Sequence, residues 1–270
     1  MADSPLDVCL SSSQGTVRRI ALGIEYDGSA FCGWQTQADG VGVQSVVEAA
    51  LSQVADESIA VQCAGRTDAG VHALCQVVHF ETSRERPLRA WTLGTNTHLP
   101  RAVSIRWAQP VRSDFNARFS AESRSYRYLL LNRSSRAGLW HGRIAWEHRP
   151  LDIARMNAAA ARLVGTHDFS SFRAAGCQSA HPRRTVHRLT ITRRNDLVLV
   201  DITANAFLQH MVRNIVGVLL KIGAGEREPG WAADVLAARD RRAAAMTAPA
   251  AGLYFLAPAY PSSFDLPDLD

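Results

Sequence analysis

Lysine is nearly absent from this chain of 270 residues: lysine and arginine together number 30, and only Lys221 is a lysine. The formal net charge of +5 therefore comes from arginine. A guanidinium group pairs bidentately with phosphate and stacks on bases, so an arginine-rich surface is suited to RNA. A biased genomic base composition would produce the same excess, and composition alone leaves both explanations open.

Cysteine and long apolar runs are also scarce. The five cysteines are an odd number, lie far apart and form no C-x-x-C pair, which argues against a disulfide framework or a structural zinc site. No run of about 18 apolar residues occurs, and the N-terminus does not resemble a signal peptide. We therefore expect a globular cytoplasmic protein, in which the 47% of hydrophobic residues form a substantial core.

The arginines are concentrated in the middle of the chain. Ten lie between Arg101 and Arg149, against three acidic residues, and seven lie between Arg162 and Arg194, against Asp168 alone. This distribution is typical of a protein with a polyphosphate partner such as RNA. A solvated face on a basic protein would show the same pattern.

The order of predicted elements divides the chain into two similar halves. We expect a flexible tail at 1–16, an N-terminal lobe at 17–112 and a C-terminal lobe at 113–270. Each lobe is predicted to run strand, helix, strand, strand, helix, strand, with helices at about 43–55, 87–98, 152–163 and 207–223. This order predicts an α+β fold in which two split-βαβ, ferredoxin-like or RRM-like lobes with antiparallel sheets join around a central basic cleft.

The segment 65–70, Gly-Arg-Thr-Asp-Ala-Gly, places Arg66 and Asp68 two residues apart between glycines. Predicted strands at 59–64 and 75–80 flank it, so the charged pair lies on a tight loop, where functional residues are often found. Asp before a small residue and Gly is also ordinary turn chemistry. The spacing alone allows both interpretations.

The predicted helix at 207–223 separates a candidate site residue from the core. Its apolar residues form one stripe, whereas Arg213 lies about 100° from Val212, on a strip with His210 and Gly217. Gly217 removes bulk beside Arg213 and costs the helix about 1 kcal/mol relative to Ala. A simple surface arginine would also fit this pattern.

The segment 64–73 resembles the signature loop of the tRNA pseudouridine synthase A family. Further blocks along nearly the whole chain are similar to family blocks and keep the family's order: 20–28, 33–35, 114–120, 125–128, 168–172, 210–217 and 252–254. The resemblance implies the two-lobed fold and the isomerisation of uridine to pseudouridine at positions 38, 39 and 40 of the tRNA anticodon stem-loop. It also implies a homodimer in which the tRNA contacts both subunits. The isomerisation involves no redox change and no outside reactant, so we expect no cofactor.

The resemblance also implies roles for four residues. Asp68 is the single essential carboxylate, acting on C1′ as a nucleophile or removing the 2′-hydrogen as a base. Burial raises the pKa of a carboxyl group, so such a residue needs a nearby cation to stay ionised, and Arg66 and Arg213 are the candidates. Arg213 is the implied ion-pair partner, Arg66 a contact for the displaced nucleotide, and Tyr126 the aromatic residue that stacks on uracil and helps to remove the C5 proton.

Two rival functions remain open from the sequence. The first is a non-catalytic RNA-binding protein, and the second is a metal-dependent nuclease or phosphoesterase that uses Asp68 with His72 and His79. The loop lacks the two-histidine helix of zinc hydrolases and the motif of zinc deaminases, which disfavours a metal site. Trp34 and Gln35 either line the cleft or serve as packing residues.

Overall fold

A computed structural model describes residues 17–36 and 40–267. The predicted tail at 1–16 and residues 37–39 and 268–270 lie outside the described residues. Within them the chain forms ten strands and five α-helices. The strands are β1 (Arg18–Tyr26), β2 (Gln62–Cys63), β3 (His72–Thr82), β4 (Val103–Val111), β5 (Ser123–Asn132), β6 (Ala145–Glu147), β7 (Gly165–Asp168), β8 (Arg183–Arg194), β9 (Leu197–Ala204) and β10 (Leu253–Ala259). The helices are α1 (Val43–Ala55), α2 (Thr95–His98), α3 (Ile153–Ala160), α4 (Met211–Gly223) and α5 (Trp231–Ala238).

The strands form one sheet in the order β4-β1-β3-β10-β5-β9-β8-β7, with β2 added to β3 and β6 added to β5. The N-terminal half has the order β4-β1-β3-β2 and the C-terminal half the order β10-β5-β9-β8, so both halves have the same split-βαβ topology. Pairing within these two sets of four strands is antiparallel. The predicted α+β fold is therefore confirmed.

The two halves meet where β10 pairs with β3 in parallel, through Tyr254 with His72 and Phe255 with Ala73. Their buried side chains form one continuous core that extends across this junction. In α1, Val43, Val47 and Leu51 recur at helical spacing and are fully buried. Burial of each of these side chains stabilises the folded protein by about 1.5–3 kcal/mol. This stabilisation explains why α1 has the bounds that its apolar pattern predicts.

Three elements differ from their predicted extents. The helix predicted at 87–98 begins with a π-helical turn, Ala90–Gly94, before the short α2. The strand predicted at 59–64 is reduced to β2. Helix α4 starts at Met211 rather than at residue 207, because His210 adopts a left-handed conformation that a helix cannot continue.

The structure also contains elements that the sequence did not indicate, namely β6, β7 and α5. No helix in the described part of the chain is both long and apolar enough to cross a bilayer.

Candidate active site

The loop at 64–71, between β2 and β3, is held by hydrogen bonds to the sheet. Ala64 N donates to Val77 O at 2.8 Å. Gly65 N donates to Gln76 Oε1 at 3.3 Å, and the Gln76 amide donates back to Gly65 O. Because Gln76 is itself fully buried, these bonds are shielded from water and fix the start of the loop.

A second segment packs against the middle of this loop. Trp34 N donates to Thr67 O at 3.0 Å, and the Tyr26 hydroxyl hydrogen-bonds to Thr67 Oγ1 at 2.7 Å. Gly33 has φ +97°, and a Cβ atom there would lie 2.8 Å from Thr67 O, so a side chain does not fit. The Trp34 side chain is only 1% exposed and serves as a packing residue, whereas Gln35 is exposed.

Asp68 meets two groups from the start of α4. Its Oδ2 atom lies 3.3 Å from Arg213 Nη1 and 3.5 Å from His210 Nε2. Its Oδ1 atom accepts no hydrogen bond from any residue of 17–36 or 40–267. The side chain is 22% exposed. One carboxylate oxygen is therefore anchored, and the other is available to a bound molecule.

Arg213 is in turn held by the segment before β10. Its Nε donates to Ala248 O at 2.8 Å, and Ala248 N donates to Arg213 O at 3.1 Å. A Cβ atom at Gly217 would lie 2.1 Å from Met246 O, so this glycine lets the segment pack directly on α4. The space beside Arg213 that the sequence indicated is thus filled by backbone, which fixes the guanidinium group.

Tyr126 and Tyr128 on β5 have different surroundings. The Tyr126 ring is 7% exposed and packs against Phe207 at 5.0 Å and Phe255 at 4.9 Å between centroids. Burial raises the pKa of Tyr126, and the nearby charge of Asp68 acts in the same direction. The Tyr128 hydroxyl instead donates to Pro249 O at 2.9 Å. Both rings therefore belong to the core, and Tyr126 is the one whose pKa is raised by the charge of Asp68.

Arg66 is exposed, and in the described ranges it makes no hydrogen bond or ion pair. Of the two cations that the sequence offered for Asp68, only Arg213 contacts it. The guanidinium group of Arg66 is thus available to an anionic partner.

His72 and His79 have contacts that do not involve Asp68. His72 Nδ1 lies 3.1 Å from Asp27 Oδ1, and its ring stacks on Tyr254 at 4.6 Å. His79 Nδ1 accepts a hydrogen bond from Ala117 N at 3.1 Å. No three His, Cys, Asp or Glu side chains gather as metal ligands among the described residues. The described residues around Asp68 therefore do not form a set of metal ligands that would support the metal-dependent alternative.

His210 is the residue at this site that the sequence analysis missed. It precedes α4 with φ 62° and ψ 3°, a conformation that costs a non-glycine residue about 1–2 kcal/mol. Such strain is concentrated at functional sites. The only sequence signal was its position at the start of the block at 210–217, on the same strip as Arg213.

The fold and site together define a class: an α+β protein with one carboxylate, held by an arginine from the other half, where two split-βαβ units meet. A family model described as tRNA pseudouridine synthase matches residues 23–120 and 159–261. The chain therefore belongs to the tRNA pseudouridine synthase family, and the predicted resemblance is confirmed. It is an isomerase that makes pseudouridine in tRNA.

Relatives with this activity in their names match over nearly their full length. The chain is 55% identical over 251 residues to tRNA pseudouridine synthase A of Shewanella amazonensis, covering 93% of this chain and 96% of the relative. It is 54% identical over 258 residues to that of Pseudomonas aeruginosa, covering 95% and 90%. It is 53% identical over 248 residues to that of Hydrogenovibrio crunogenus, covering 92% and 95%.

Proposed function

We propose that this enzyme converts uridines 38, 39 and 40 of the tRNA anticodon stem-loop to pseudouridine, with Asp68 as the reacting carboxylate and no cofactor. The observation that supports this most strongly is the asymmetric environment of Asp68. Arg213 lies 3.3 Å from Oδ2, while Oδ1 accepts no hydrogen bond from the residues described. A free oxygen on an anchored carboxylate is what attack on a sugar requires.

The reaction needs only groups that this site can supply. The C1′–N1 bond breaks, the freed uracil turns, C1′ bonds to C5, the C5 proton leaves and N1 takes up a proton, with no net oxidation or reduction. Asp68 Oδ1 starts the reaction either by attacking C1′, which later releases the carboxylate, or by removing the 2′-hydrogen, which it later returns to C2′. Arg213 supplies the opposite charge next to the carboxylate in both routes.

We propose that Tyr126 holds the uracil while it turns. Stacking of a base on an aromatic ring is worth about 1–3 kcal/mol. Because burial raises the pKa of Tyr126, its hydroxyl carries a proton when the uridine arrives. We propose that this hydroxyl helps to remove the C5 proton at the end, accepting it while its own proton passes to water.

The target uridine must leave its base stack to reach Asp68, at a cost of a few kcal/mol. Arg66 lies two residues from Asp68 and is exposed, so we propose that it binds the displaced nucleotide. The arginines of the middle of the chain would bind further phosphates of the stem-loop.

The assembly of the enzyme is part of the same proposal. We propose an N-terminal lobe at 17–112 that carries Asp68 and a C-terminal lobe at 113–270 that carries Tyr126 and Arg213. The matching strand order of the two halves supports this division. We also propose a homodimer that acts in the cytoplasm, where tRNA is available.

The proposal is tested by mapping pseudouridine in unmodified tRNA treated with the purified protein and a chelator. We expect pseudouridine at positions 38, 39 and 40 at a rate that the chelator does not change. Modification elsewhere would contradict the substrate assignment. Binding without isomerisation would favour the RNA-binding rival, and chelator-sensitive cleavage would favour the nuclease.

A further inference from the structure

His210 contacts the same oxygen of Asp68 as Arg213 does, and the reaction described above makes no use of it. Its Nε2 lies 3.5 Å from Asp68 Oδ2, and Arg213 Nη1 lies 3.3 Å from that atom. Two nitrogen atoms from the first turn of α4 and the residue before it therefore converge on one carboxylate oxygen. This arrangement leaves Oδ1 as the unoccupied atom.

The backbone of His210 is held in an unusual conformation for a side chain of this kind. It has φ 62° and ψ 3°, in the left-handed region that glycine and asparagine tolerate best. Backbone bonds fix it on both sides, from Ala174 N to Gln209 O at 3.0 Å and from Asn214 N to His210 O at 2.9 Å. The histidine side chain does not cap the helix, so the helix gains nothing from it.

We propose that His210 is a positioning residue for Asp68. A carboxylate held at one oxygen by a single contact can rotate about its Cβ–Cγ bond and exchange its two oxygens, since that torsion is broad. Contacts from His210 and Arg213 to Oδ2 restrict this rotation and keep Oδ1 directed at the target nucleoside. The inference rests on the proposed function, in which Asp68 is the reacting carboxylate.

The test compares three variants of the full-length enzyme. His210→Gly removes the ring and relieves the backbone, and His210→Gln restores a nitrogen donor of similar reach. Asn195→Gly is the matched control, because Asn195 is another left-handed residue, with φ 53°, in the turn between β8 and β9. The measurements are kcat and KM on tRNA, the pH profile of kcat, the melting temperature, and rescue by added imidazole.

We expect His210→Gly to lower kcat about 10-fold to 100-fold, because the reacting carboxylate is then misplaced. KM should stay within about twofold of the wild-type value. Glutamine or added imidazole should restore part of kcat, and the pH profile of kcat should change in the glycine variant. Neither glycine variant should lower the melting temperature, and Asn195→Gly should keep the wild-type kcat.

An unchanged kcat in His210→Gly overturns the proposal, as does a rise in KM alone, which would make His210 an RNA contact. A loss of kcat that neither glutamine nor imidazole restores also overturns it. Asp68→Asn, measured alongside, separates this proposal from the proposed function. If Asp68→Asn stays active, the proposed function fails. If Asp68→Asn is inactive but His210→Gly keeps the wild-type kcat, only the positioning role fails.

Discussion

Two aspartates, Asp27 and Asp68, have nearly the same exposure and the same kinds of neighbours, yet their geometry differs. The side chains are 21% and 22% exposed, and each lies beside one arginine and one histidine. At Asp27, Arg143 Nε donates to Oδ2 at 2.7 Å, while Ser29 N donates to Oδ1 at 3.0 Å. Both oxygens of Asp27 therefore accept hydrogen bonds, whereas only one oxygen of Asp68 accepts a hydrogen bond in the described ranges.

This difference separates a structural carboxylate from a reactive one. Burial alone would raise the pKa of Asp27, but hydrogen bonds from Ser29 and Arg143 and the nearby His72 lower it to about 2. The carboxylate of Asp27 thus accepts hydrogen bonds that stabilise the fold. Asp68, with longer contacts to one oxygen only, keeps an acceptor for substrate. The type and number of charged neighbours would not have distinguished the two residues.

The largest expected contrast comes from Asp68→Asn and Asp27→Asn. We expect Asp68→Asn to lower kcat by about 10³-fold or more, since the amide neither attacks C1′ nor takes a proton. Asp27→Asn should keep kcat within about threefold of wild type. Release of tritium from tRNA labelled at uridine C5 measures both rates. Similar losses of kcat in the two variants would contradict the distinction between a reactive Asp68 and a structural Asp27.

The second largest difference in kcat is expected between Arg213→Gln and Arg143→Gln. Arg213→Gln is expected to lower kcat about 10²-fold, because Asp68 loses its anchor and the opposite charge beside it. Arg143→Gln should have little effect on kcat, because Ser29 and His72 still contact Asp27. Steady-state kinetics on tRNA measures this. An effect of Arg213→Gln on KM alone would show that Arg213 binds RNA rather than Asp68.

The two tyrosines of β5 sharpen the comparison further. Tyr126→Phe keeps the ring but removes the hydroxyl, so we expect kcat to fall about tenfold with KM unchanged. Tyr128→Phe loses the bond to Pro249 and should destabilise the fold by about 1 kcal/mol without changing kcat. Kinetics and urea unfolding of both variants measure these effects. The reverse pattern would place the functional tyrosine at 128.

The smallest expected effect is the pH dependence of stability due to Asp27. Because its pKa in the fold, about 2, lies below its ordinary value of 3.8, the charge stabilises the protein above pH 4. This stabilisation disappears as the pH falls from about 4 to about 2. At pH 7, Asp27→Asn should lower the free energy of unfolding by about 1 kcal/mol.

Urea unfolding of both proteins at a series of pH values measures this difference, which should shrink through that range. A difference that stays constant across it would mean that packing, rather than charge, causes the loss.

The sequence predicted those parts of the molecule that depend on local pattern. The apolar spacing of α1 predicted its bounds, Val43–Ala55, and the strand order predicted the α+β topology. The placement of Arg213 opposite the core stripe correctly separated it from the buried residues of α4. Its contact with Asp68, which the family resemblance implied, is present at 3.3 Å.

The sequence could not predict features that arise from distant backbone. The left-handed conformation of His210 is set by hydrogen bonds from other segments, so helical periodicity extended α4 four residues too far. The room that Gly217 leaves for Met246 depends on a segment about 30 residues away in the chain. The pairing of Asp27 with Arg143 joins residues 116 positions apart, and no spacing rule connects them.

The most direct test of the reacting role of Asp68 is a crystal structure of Asp68→Asn bound to tRNA. We predict that the target uridine is flipped out, with its C1′ within about 3.5 Å of the side-chain atom that replaces Oδ1. Arg213 should lie on the opposite side of that group. A flipped nucleotide held elsewhere, for example in the cavity of about 470 Å³ lined by Asp27, His72 and Arg143, would contradict the account.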